Sequence, residues 1–137
     1  MCLVNTKYVK KSKKDIVCYK LMDHGKSPSY IYTPFTLTRV DIDLVKNHRI
    51  FKPEYKRTIG GDIICPGEDV TEGFIHACKT LEGAKKLKKW FGEVQPWKNI
   101  VIYECIIPAG SSYCVGHDDW YRGGYASNKI KFIKEVG

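Results

Sequence analysis

The run Ile100 to Ile107, IVIYECII, constrains this chain more than any other segment. It is rich in β-branched side chains, is broken only by Glu104, and falls far short of the roughly 18 apolar residues that cross a bilayer as a helix. Its length suits a strand buried in a sheet, whose backbone groups must find partners in neighbouring strands. A second run, Ile16 to Met22 (IVCYKLM), reads as a first strand bounded by the breaker-rich segment His24–Pro28. Phe35 and Leu37, then Val40, Ile42 and Leu44, alternate with a phase slip near Arg39. That pattern fits one or two bulged strands, or a short helix over residues 41–47. After the turn Pro108-Ala109-Gly110, Ser112 to Val115 adds a short strand, and Lys129 to Val136 alternates apolar residues with lysine as an edge strand shielded by charge.

One helix is clear. Thr80 is a good N-cap, Glu82 lies in the first turn, and Leu81, Ala84, Leu87 and Phe91 recur at helical spacing with Lys85, Lys86 and Lys89 on the other side. Lys88 and Lys89 suit its C-terminal end, and Gly92 is the expected stop. Between Lys52 and Gly73 the residues Pro53, Gly60, Gly61, Pro66 and Gly67 mark a long connection, interrupted at most by a short strand over Asp62–Cys65. The predicted fold is therefore α+β. It is a single domain with a mainly antiparallel sheet, whole or split, one clear helix at about 80–91, and a long irregular central loop. At 137 residues one folding unit is expected, with 1–14 a mobile basic arm and 15–137 the globular domain.

Lys and Arg number 23 against 15 Asp and Glu, a net charge of +8 that favours anionic partners without choosing among them. No apolar leader follows the early lysines, so a cytoplasmic protein, in a host cell cytosol, is expected, with no membrane association. The six cysteines (Cys2, Cys18, Cys65, Cys78, Cys105, Cys114) then read as reduced thiols. No C-x-x-C pair, phosphate-cradling glycine loop, H-E-x-x-H or G-x-S-x-G occurs, so no catalytic set, metal site or cofactor is read from the sequence. The pairs Gly60-Gly61 and Gly123-Gly124 read as turns.

Candidate binding residues are of two kinds. His76, just before the helix, is placed to donate to a phosphate at the helix start, or else is a half-buried histidine bonded to backbone. Trp120, Tyr121 and Arg122 concentrate flat and bidentate groups that stack on bases and clamp phosphates, in a segment where His117, Asp118 and Asp119 form either an acid/base cluster or a solvated turn. Trp90 and Trp97 bracket the end of the lysine helix, as core or as an aromatic-cationic surface.

The segments MCLV, DIVCYKL, EGFIHACKTLEGA, IIPAGSSYCVG and YASNKIKFIKEV together resemble a family of small phage and prophage proteins, over most of the chain except about Asn47 to Asp69. The same element order is similar, remotely, to a reduced ADP-ribosyltransferase-type fold. That likeness implies a basic or polar contact to NAD from the first strand, here Lys20, and a late strand pair carrying a glutamate. At that place this chain reads Tyr125-Ala126-Ser127-Asn128, with no carboxylate, leaving Glu104 or Glu135 as substitutes. An oxocarbenium-like transition state then lacks its main electrostatic support.

The resemblance and the charge together imply a non-catalytic binder. Tyr19, Lys20, His76, Trp120, Tyr121 and Arg122 would hold a nucleotide-derived signal, ADP-ribose or a cyclic nucleotide, and sequester it against host defence. The alternatives are an ADP-ribosyltransferase-like or nucleotide-cleaving enzyme using His117 with Asp118 or Asp119, and a basic module binding nucleic acid or an acidic protein through Lys7–Lys14 and the lysine helix.

Overall fold

A computed structural model describes residues 10–26, 28–34, 39–53, 75–117 and 123–137, with the backbone alone at residue 117. The two apolar runs form its centre. Strand β2 (Ile16–Asp23) pairs antiparallel with β7 (Ile100–Ile107) along its whole length, from Ile16 opposite Ile107 to Asp23 opposite Ile100. The far edge of β7 carries β10 (Ile130–Glu135), which in turn pairs with the two-residue β5 (Ile50–Phe51). The free edge of β2 is shared. Near Tyr19 it takes β6 (Ile75–Cys78), and at Asp23 it takes β3 (Tyr30–Tyr32). The sheet therefore forks at β2. One branch runs through β6, β9 (Gly123–Ser127), β8 (Ser112–His117) and β1 (Lys10–Lys11), and the other through β3 to β4 (Arg39–Asp41). Every pairing among the described residues is antiparallel.

Two helices flank this open sheet, so the chain is more β-rich than the α+β expectation. Helix α2 (Leu81–Val94) is the predicted one. Thr80 Oγ1 accepts from the amide of Gly83 at 3.1 Å, and Ala84, Leu87 and Phe91 are buried. It packs on one face of the sheet over Leu21, Ile100 and Ile102. It runs past the expected stop, because Gly92 keeps a negative φ and does not turn left-handed, and ends where the Gln95 amide caps Phe91 O at 2.7 Å. Its last turn consequently carries no basic residue.

The second helix, α1 (Ile42–Lys46), settles the ambiguity over 41–47. Asp41 leaves β4 extended and accepts from Asp43 N at 2.9 Å, nucleating one short helix. With the β3–β4 hairpin, α1 covers the opposite face of the sheet. Ile31, Val40 and Val45 there close over Cys18, Met22, Tyr103, Cys105, Ile107 and Phe132.

Several expectations are corrected. β10 is an edge strand only in part, since β5 pairs with Ile130 and Lys131 at its start, and a bulge at Ile133 breaks its register with β7. The basic arm is docked from Lys10 onward. Lys10 and Lys11 pair with β8, and buried Ser12 donates from Oγ to Pro108 O at 2.8 Å and accepts from Ser111 N at 3.0 Å. Gly123-Gly124 belongs to β9 and is not a turn. Cys114 is disulfide-bonded and so departs from the all-reduced expectation, while Cys18, Cys78 and Cys105 form no disulfide. The predicted Asp62–Cys65 strand, most of the 52–73 connection and Gly60-Gly61 also lie outside the described residues.

Candidate functional site

Strand alternation separates two residues expected side by side. Tyr19 is half-buried and points to the α2 face. Lys20 is 8% exposed and belongs to the opposite face, where its charge acts on the thiols of Cys18 and Cys105. Burial outweighs that charge, pushing Cys18 up to about 12 and Cys105 upward as well. His76 sits opposite Ala126 in the β6–β9 ladder, half-buried and in phase with Cys78 on the α2 side. Tyr19 and His76 therefore share a face, and Lys20 does not.

Trp120, Tyr121 and Arg122, with Asp118 and Asp119, lie outside the described residues. The ends of that segment are placed: His117 pairs with Gly123, and Gly123 O accepts from Lys79 N at 3.0 Å, beside the start of α2. Trp97 is 76% exposed, whereas Trp90 packs partly into the α2 core.

The stretch without a carboxylate has a structural task. Asn128 Oδ1 accepts from Ser112 N at 2.9 Å, and Ser127 Oγ donates to Lys129 O at 2.8 Å, so buried Ser127 and Asn128 fasten the corner between β9 and β10.

A cavity of about 320 Å³ opens on the other face, walled by α1, β10, β7 and the end of β2. Its apolar floor is Ile42, Val45 and Ile133, and its polar groups are His24, Lys46, His48, Tyr103 and Glu135. Two departures from regular backbone shape it. The bulge at Ile133 turns that residue into the cavity wall. At the end of α1, Arg49 N bonds Leu44 O at 3.0 Å and His48 N bonds Val45 O at 3.2 Å, the paired closure that places its hinge residue in left-handed conformation. Glycine usually holds that position; here it is His48, at φ 53°. Holding a β-carbon there costs roughly 1–2 kcal/mol. The imidazole so placed donates or accepts through Nδ1 at Phe132 O, 2.9 Å away, and since a carbonyl only accepts, Nδ1 is the donor.

Opposite His48, three side chains from three segments meet. The Tyr103 hydroxyl donates to Glu135 Oε1 at 3.2 Å, and His24 Nε2 lies 2.8 Å from that hydroxyl and 3.5 Å from the carboxylate. The single phenolic hydrogen is committed to Glu135, so His24 is the donor to Tyr103. The two rings are parallel within 1° with centroids 5.9 Å apart. Parallel planes joined by a 2.8 Å bond cannot be separated by the roughly 3.5 Å of stacked carbon faces, so the rings lie side by side. Burial and then the Glu135 charge raise the Tyr103 phenol well above its ordinary value, keeping it a neutral donor.

Of the six residues singled out for binding, the three described ones, Tyr19, Lys20 and His76, do not line this cavity. Of its polar groups only Glu135 carried a functional reading in the sequence. His24 is visible there merely as part of a breaker segment, and His48 would stand out only to a reader who had already ended a helix at Lys46. Among the described residues no group of three His, Cys, Asp or Glu could hold a metal ion, and no helix is long and apolar enough to cross a membrane. No known protein family, curated protein or solved structure matches the chain significantly.

Proposed function

We propose that this protein binds a small phosphorylated molecule derived from a nucleotide in the cavity between α1 and β10, and holds it without converting it. The observation that carries this reading is that Lys46 and His48 line one cavity beside apolar Ile42, Val45 and Ile133, where two irregular backbone features, the bulge at Ile133 and the left-handed His48, fall at one spot. Bulges and left-handed non-glycine residues gather where a side chain must be aimed. A cation and two imidazoles set against the one carboxylate of Glu135 favour an anion, and the net charge of +8 assists its approach.

The volume equals the share of roughly ten liquid waters, room for a phosphorylated sugar or one mononucleotide. A larger signal such as ADP-ribose or a cyclic dinucleotide would insert one phosphorylated end. Together with the resemblance to phage proteins, the consequence is removal of a nucleotide signal used in host defence.

Native mass spectrometry with adenosine monophosphate and with ADP-ribose tests this. A stable 1:1 complex is expected, lost in Lys46→Ala and releasing unchanged ligand on denaturation. No complex with either, or equal occupancy in Lys46→Ala, overturns it.

A second reading rests on Glu135. The Glu135–Tyr103–His24 chain is a hydrogen-bonded acid/base series on the cavity wall, and Glu135 is one of the two carboxylates that can stand in for the missing glutamate. This reading expects cleaved nucleotide in the same experiment.

A further inference from the structure

We infer that a phosphorylated guest enters this cavity together with one proton, taken up at Nε2 of His48; the inference rests on the binding reading above. The hydrogen-bond geometry carries it. A neutral imidazole holds one hydrogen, and in His48 that hydrogen is on Nδ1, because its partner at 2.9 Å is the carbonyl of Phe132. Nε2 therefore presents a lone pair. A phosphate oxygen presents lone pairs too, so the two repel until Nε2 gains a hydrogen and becomes a charged donor.

Two lone pairs at the cavity can take that proton, Nδ1 of His24 and Nε2 of His48, and His48 is the one whose ring is anchored on a backbone carbonyl. From α1, Lys46 is already a cation with nothing to gain. From β7, Tyr103 stays neutral because burial and Glu135 both oppose its ionisation. The Nε2 hydrogen of His24 is spent on Tyr103, and from β10 the Glu135 carboxylate accepts the Tyr103 hydroxyl. The αL backbone of His48 and its bond to Phe132 O hold the ring in place, so the proton arrives at a fixed position.

The test is titration calorimetry of the full chain with adenosine monophosphate at pH 8, where the phosphate is already a dianion because its second pKa is about 6. Run in Tris and in Hepes, the binding heat should vary with buffer ionisation enthalpy in the sense of proton uptake. Affinity should weaken as pH rises from 8 to 9. In His48→Gln the amide donates without titrating, so binding is weaker but its heat no longer depends on buffer. In the parent chain, the ring carbon resonances of His48 should shift to their protonated positions on adding the nucleotide, a readout that needs no variant.

Binding with a buffer-independent heat overturns the inference and leaves the binding reading standing. A proton-uptake slope that survives in His48→Gln overturns it as well, moving the proton elsewhere. Failure of adenosine monophosphate to bind the parent between pH 6 and 9 removes the binding reading, and this inference with it.

Discussion

The two faces of the β2–β7 sheet are made differently. On the α2 face a regular capped helix lays Ala84, Leu87 and Phe91 on Leu21, Ile100 and Ile102, and the principal contacts are apolar. On the α1 face the covering layer is short: a helix of five residues, a three-residue hairpin and a two-residue strand. There the backbone bulges at Ile133, turns left-handed at His48, and leaves a cavity ringed by titratable groups. Both faces close an apolar core, and the α1 face in addition leaves a space ringed by polar groups.

The largest expected effect breaks the α2 side. Phe91 is 1% exposed with Lys98 above its ring, and Phe91→Ala should cost about 3–5 kcal/mol by urea unfolding. A loss under about 1 kcal/mol would mean that Phe91 is not the anchor of the α2 face. Lys46→Ala on the cavity side should instead leave unfolding nearly unchanged and weaken adenosine monophosphate binding by about 1.5–3 kcal/mol, the range for a hydrogen bond to a charged group, measured by calorimetry.

Alkaline pH sharpens the contrast from another direction. The Tyr103 phenol is raised in the folded chain, so the native state keeps a proton that the unfolded chain releases above about pH 10. The folded state thus binds more protons there, and stability falls as pH rises past that point, having been fully present below it. Cys18, Cys105 and Tyr125 are raised by burial and act in the same sense. Tyr103→Phe should flatten the decline between pH 10 and 12 in urea midpoints; an unchanged slope would assign it wholly to the other three.

The smallest effect is the most discriminating. His48→Gly relieves the αL position and forfeits one bond to Phe132 O, two terms of about 1 kcal/mol each and opposite sign. Unfolding stability should therefore move by less than about 1 kcal/mol while nucleotide binding falls. A large loss of stability would make His48 a structural residue instead.

Much of the fold was legible. The runs 16–22 and 100–107 became β2 and β7, the Thr80 cap began α2, and the choice left open over 41–47 closed on a helix because Asp41 caps it. What misled was position within the sheet. The lysines of β10 read as an edge signal, yet the start of the strand is flanked on both sides because β5, far off in sequence, pairs with it. Of the candidate site, Tyr19 and Lys20 were adjacent in sequence and so on opposite faces, which period-two alternation already dictates.

Local chemistry, the reach of side chains a few residues apart, was enough to determine the two central strands, the Thr80 cap of α2 and the cationic character of the whole chain. The meeting of His24, Tyr103 and Glu135, and the aim of His48 at Phe132, depend on residues 32 to 84 positions apart. No short-range pattern encodes such a meeting. It exists only once strand register and one left-handed residue have brought those atoms within bonding distance.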